Sequence, residues 1–115
     1  MNYPMTEVIA TRRLFWRRSD GTVETIETRF GRPTPQSDEG TDCYCPYEIE
    51  SILGDGTDRA TGELLVRHHA FGVDSVQALY LAFFAVGAEL STFDGAPRSD
   101  VESGKNFGFP NSARV

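Results

Sequence analysis

Cys43, Cys45, His68 and His69 are the residues whose types and spacing come nearest to chemistry. Thiolates and imidazoles are the ligands that zinc prefers, four at a time in a tetrahedron. On a strand, residues two apart share a face, so Cys43 and Cys45 point together while His68 and His69 point to opposite sides. Pairing the two strands offers a metal two sulfurs and one nitrogen, one ligand short, and structural zinc sites bring their cysteines in wider-spaced pairs. Two small core thiols beside a surface histidine pair is the plainer reading, because free cysteine is among the most buried residue types. A Cys43–Cys45 disulfide fits less well still, since alternate residues of an extended strand hold their sulfurs too far apart. A Cys/His nucleophile needs an activated thiolate. Tyr44, Pro46 and Tyr47 supply no positive charge for that, and Glu48 and Glu50 oppose it. No catalytic residue, cofactor or bound metal is expected.

The other charged clusters read as surface. Glu48, Glu50, Asp55 and Asp58 do not fit a calcium loop, because 54–63 lacks alternating ligands and a closing bidentate glutamate. They suit a solvated strand face and a turn. Arg12, Arg13, Arg17 and Arg18 would be split between two faces of a strand, with Glu24 and Glu27 as partners. A net charge of −6 and a pI near 4.8 count against nucleic acid and anionic membrane as partners, since both attract basic patches. The sequence holds no phosphate-binding glycine loop, no serine nucleophile elbow and no dinucleotide fingerprint. Two cysteines without a secretory leader point to free thiols and a cytoplasmic location.

The elements that would carry these residues fit one domain of 115 residues, with 1–6 as a flexible N-terminus and 91–115 as a tail. Glu7 to Arg17 and Thr22 to Phe30 are rich in β-branched and aromatic residues, and Asp20-Gly21 between them signals a hairpin. A two-residue turn there sets Arg17 opposite Glu24 and Phe15 opposite Ile26. Apolar residues fall on both faces of this hairpin, which calls for a bulge or a partly covered second face. Gly31 to Asp42 is loop by composition, and Cys43 to Ile52 alternates as a third strand. Pro46 lacks an N–H, favouring an edge or a bulge at that point. After a polar connection at 54–63, Leu64 to Phe71 forms the fourth strand. The fold class is α+β: an antiparallel four-stranded meander, ββββα, with one long C-terminal helix across one face and an extended tail.

The helix begins at Asp74, an N-cap with Gln77 placed to reach back to it. Between Ala78 and Ala88 there is no charge, yet the run is too short for a bilayer, which takes about 20 residues. At about 100° per residue, Val76, Leu79, Tyr80, Phe83, Val86, Gly87 and Leu90 share a sheet-facing stripe. Leu81, Phe84 and Ala88 form a second apolar stripe that needs its own cover, from Phe107 and Phe109 of the tail or from another chain. These three are the candidate partner-binding residues.

Cys45-Pro46-Tyr47, the stretch from Gly72 through Asp74, Ser75 and Gln77 to Leu79, Val86 to Leu90, and Gly108-Phe109-Pro110 give the chain a family likeness. It resembles a bacterial family of small domains of unknown function. The resemblance implies a standalone bacterial cytoplasmic domain and brings no activity and no catalytic residue. The functional expectation is a non-catalytic, acidic protein-interaction module. Its most concrete form is a toxin-neutralising immunity protein, whose charge would steer a basic toxin toward it. A homodimeric accessory domain ranks second. A small enzyme or ligand binder on the Cys/His strand face ranks third.

Overall fold

The computed structural model describes residues 3–37, 40–52, 62–97 and 109. The elements in chain order are β1 (Val8–Arg17), β2 (Val23–Gly31), β3 (Thr34–Pro35), β4 (Cys43–Ile52), β5 (Glu63–Gly72), α1 (Ser75–Leu90) and β6 (Ala96–Pro97). The four long strands lie side by side as β1, β2, β4 and β5, each antiparallel to the next, with α1 packed against the sheet. That is the expected α+β meander with its C-terminal helix. Two short strands extend it: β3 continues the line of β2 along β4, and β6 pairs with Trp16 and Arg17 on the outer edge of β1. The stretch expected to be loop, 31–42, thus contributes to the sheet, and the Gln36 N–H donates to the Asp42 carbonyl at 2.9 Å.

The first hairpin turns through three residues, not two. Arg18 N–H donates to Thr22 O at 2.8 Å and Gly21 N–H to Arg18 O at 2.9 Å. Gly21 has φ +90°, a left-handed conformation that glycine adopts without strain. The Asp20 carboxylate accepts the Thr22 N–H, which holds that carboxyl below its usual range. The extra residue slips the expected register by one. Ile26 therefore faces Leu14, Glu24 faces Trp16, and Glu27 faces Arg13. A slip of one exchanges the faces of a strand, so Leu14 and Trp16 share the helix side with Ile26 while Phe15, 54% exposed, takes the other. The anticipated bulge lies at Ile9, where the register shifts between Val8 and Ala10.

Pro46 sits in the middle of the sheet rather than at an edge. Its ring meets the point where β2 ends at Gly31 and β3 has yet to begin, so the ladder is already open where the N–H is missing. A Cβ on Gly31 would come within 2.8 Å of the Pro46 ring.

The helix caps as expected, with Asp74 accepting the Gln77 N–H at 2.8 Å. Gln77 reaches back to the N–H of Val73 at 2.7 Å, one residue before the cap. The buried face differs from expectation. Ala78, Ala82, Val86 and Leu90 face the sheet, while Val76 is 75% and Tyr80 42% exposed. Small residues let the helix approach closely: a Cβ on Gly72 would fall within 2.7–2.8 Å of the backbone of Gln77 and Ala78. The helix covers β5 and β4 and barely reaches β2. Phe93, edge-on to Trp16 at 6.2 Å, and Phe109, at 5.8 Å from Phe30, pack over the remaining half of that face.

Candidate functional site

The sheet separates the expected chemical residues. Cys43 and Cys45 lie under the helix, opposite Gly72 and Ala70 of β5, and both are buried and unpaired. Cys45 donates to the Gly31 carbonyl at 3.3 Å, and burial pushes its thiol up to about 11. A thiol so held is a poor nucleophile at neutral pH. His68 shares their side of the sheet but sits one row beyond, stacked on Tyr47 at 6.1 Å. Tyr47 is itself pushed to about 12, by burial first and by Glu89 and Cys45 after it. His69 points the other way, into an aromatic cluster with Tyr3 at 4.4 Å and Phe71 at 4.7 Å. Among the described residues no three His, Cys, Asp or Glu side chains gather as a metal ion would require.

The segment anticipated as a flexible N-terminus, 1–6, is described from Tyr3 onward. Tyr3 stands 5.0 Å from the ring of Tyr44, whose hydroxyl donates to the Pro4 carbonyl at 3.3 Å. Thr6 donates to the Arg32 carbonyl, and the Arg32 N–H to the Glu7 carbonyl, both at 2.8 Å.

The sheet face away from the helix, expected to be solvated, carries a charge ladder. Arg13 meets Glu27 at 2.7 Å, Glu27 meets Arg29 at 3.0 Å, and Arg29 meets Glu48 at 3.1 Å and Glu50 at 2.9 Å. Arg67 completes the row on Glu48 at 2.9 Å. Glu27 and Glu48 are only 4% and 7% exposed, so they belong to the interior of the ladder. Burial alone would pull the Arg29 guanidinium down, but its bonds to Glu50, Glu27 and Glu48 outweigh that and hold it firmly charged. The signal was present as Glu27-x-Arg29 and Glu48-x-Glu50, same-face spacings on a strand, but the correct register was needed to bring them together. Arg18 also finds Glu24, at 2.7 Å, an ion pair without hydrogen-bond alignment whose carboxylate additionally accepts from the Ser51 hydroxyl. Asp55 and Asp58 lie outside the described residues.

The remaining feature is the outer surface of the helix. Phe83 points inward to Phe30 of β2, their rings 4.6 Å apart, and Phe109 lies 6.4 Å from Phe83. Phe109 is 8% exposed, with the Arg12 guanidinium 4.7 Å above its ring. It packs on Phe83 and Phe30, at the seam between helix and sheet; Phe107 lies outside the described residues. Leu81, Phe84 and Ala88 fall about 100–160° round the helix from Phe83. Because α1 rests on β4 and β5 with Phe83 turned toward β2, this opposite flank overlooks the outer edge of β5. Leu81 and Phe84 are half-buried and Ala88 is exposed. Val76 and Tyr80 extend the surface, which carries no charge from Ser75 to Ala88.

A shallow cleft of about 240 Å³ beside the helix start, lined by Gln36, Asp42, Phe71, Val73 and Gln77, gathers one carboxylate and no base or nucleophile to work with it. No described helix is long and apolar enough to cross a membrane. Neither the curated proteins nor the solved structures contain a match to the chain. A family model described as a domain of unknown function, DUF6968, matches residues 10–111. With nearly its whole length inside that match, the chain belongs to the DUF6968 family.

Proposed function

We propose that the chain is a non-catalytic protein-interaction module of the bacterial cytoplasm, and that its contact surface is the outward side of α1. The observation that carries this reading is a helix with two apolar sides. Ala78, Ala82, Val86 and Leu90 are taken up by the sheet, while Val76, Tyr80, Leu81, Phe84 and Ala88 form an uncharged outer surface. A helix on a sheet is normally polar on its outer side, and contiguous exposed apolar surface marks an interaction site. Two free thiols suit a reducing compartment. The acidic balance of −6 favours a basic partner, with a toxin neutralised by this chain as the concrete case.

A photo-crosslinking amino acid at position 84, expressed in cells of the protein's own source, tests the reading. Position 15, where Phe15 is exposed on the opposite sheet face, serves as control. The expected result is one adduct of defined mass from position 84 and none from 15. Adducts from neither position, or equally from both, would sink the proposal.

A further inference from the structure

The geometry points to a second copy of this chain as the occupant of that surface, joined edge to edge through β5; this rests on the interaction-module reading above. Among the described residues, β5 pairs with β4 on one side and with no strand on the other. Such an edge is a template for another strand. The outward row can be identified. His69 pairs with Pro46, and its N–H is donated to its neighbour's ring, His68 Nδ1, at 2.8 Å, so it faces away from β4. Alternate residues of an antiparallel strand point the same way, which adds Arg67 and Phe71 to the open row.

A two-fold axis normal to the sheet at His69 pairs His69 with its own copy and sets Arg67 of each chain opposite Phe71 of the other. An axis two residues earlier, at Arg67, would instead oppose like charges. The helices decide between a lone strand and a whole second copy. In each copy α1 lies above β4 and β5, so strand pairing brings the two axes within about two strand spacings, or about 10 Å. That is the contact distance of packed helices, about 8–10 Å. The level also agrees. Phe30, Tyr47 and His68 form one row across the sheet, and Phe83 stands on Phe30. Phe84, the next residue of α1, therefore lies close to the level of His68, one residue from the axis, and the flank made by Leu81, Phe84 and Ala88 meets its counterpart. A peptide strand would fill the edge and leave this flank bare; a second copy fills both. The interface also avoids the chain's excess acid, since its helical part is uncharged and its strand row carries Arg67.

In the isolated chain, His68 shields the edge by accepting the His69 N–H. Substitutions on either side of this bond therefore act in opposite directions. Sedimentation equilibrium of the full chain should show a monomer–dimer equilibrium. His69→Pro removes an N–H that β4 does not use, deletes both central strand–strand bonds and weakens dimerisation about tenfold or more. His68→Ala frees that N–H and tightens it severalfold. Ala88→Arg, at an exposed position and lowering the net negative charge, weakens association through the helix side alone. Circular dichroism confirms that each variant is folded. Wild type and His68→Ala remaining monomeric at all concentrations would overturn the proposal, as would dimers insensitive to both His69→Pro and Ala88→Arg. A monomer whose position 84 crosslinks to a different protein would leave the interaction module standing and remove the second copy as its partner.

Discussion

His69 shows how closely a single side chain is tied to its surroundings. Its ring stands among Tyr3, Phe71 and His68, at 4.4, 4.7 and 5.0 Å. Burial, and behind it the charge on His68, hold its imidazole below the usual 6.5. The folded chain therefore favours neutral His69, and the unfolded chain takes up the proton first. The stability this group contributes is complete above 6.5 and is lost as the pH falls through the lower, folded-state value. NMR titration should place the midpoint of His69 below that of the same residue in the urea-unfolded chain. Melting temperature should fall on acidification from about pH 6.5, less steeply in His69→Gln. A midpoint at or above the unfolded value would refute the assignment. Gly72 is constrained more simply, by contact: the backbone of Ala78 occupies the place of a side chain.

Among the elements, the charge ladder is the one most exposed to a single loss. Replacing Arg29 by Gln strands Glu27, Glu48 and Glu50 without their shared cation. Removing one partner of a fully buried pair costs about 3–5 kcal/mol, but Glu27 keeps Arg13 and Glu48 keeps Arg67. The expected cost is about 2–3 kcal/mol, read as a lower urea midpoint at unchanged m. A midpoint shift worth less than about 0.5 kcal/mol would mean that water already screens the ladder. The four long strands were legible: Cys43–Ile52 matches to the residue and the other three to within one, while the short β3 and β6 fall in stretches expected to be loop and tail. Register was not, because Asp20-Gly21 suits both a two-residue turn and a three-residue loop closed by glycine. The helix was legible in extent and cap but not in rotation. Apolar area ranks Val76 and Tyr80 above Ala78 and Ala82, whereas close packing on a sheet favours the small residues. The stripe of Leu81, Phe84 and Ala88 was legible as a question; the open edge beside it required the strand order.

At the scale of the molecule, the helix and the tail divide one sheet face between them. Phe93 and Phe109 stand over β1 and β2, which α1 barely reaches. Deleting 105–115 removes Phe109 and uncovers Phe30 and Phe83. Truncating a buried Phe costs about 3–5 kcal/mol, so the shortened chain should melt markedly lower and bind an apolar dye. An unchanged melting curve would show that Phe109 adds no stability. Trp16 belongs to the same seam, its indole N–H donating to the Asp94 carbonyl at 2.7 Å, and its fluorescence can report on the seam directly.

The loop Ser19–Gly21 has a meaning beyond its own backbone. Three residues there send Leu14, Trp16 and Ile26 toward the helix and Arg13, Glu27 and Arg29 away from it. What the loop sets is the phase of the hairpin. The same chain closed through two residues would pair Phe15 with Ile26 and, with β2 in place, turn Arg13 and Arg17 to the helix side of the sheet. The two unlike faces stay distinct through a choice made at one tip.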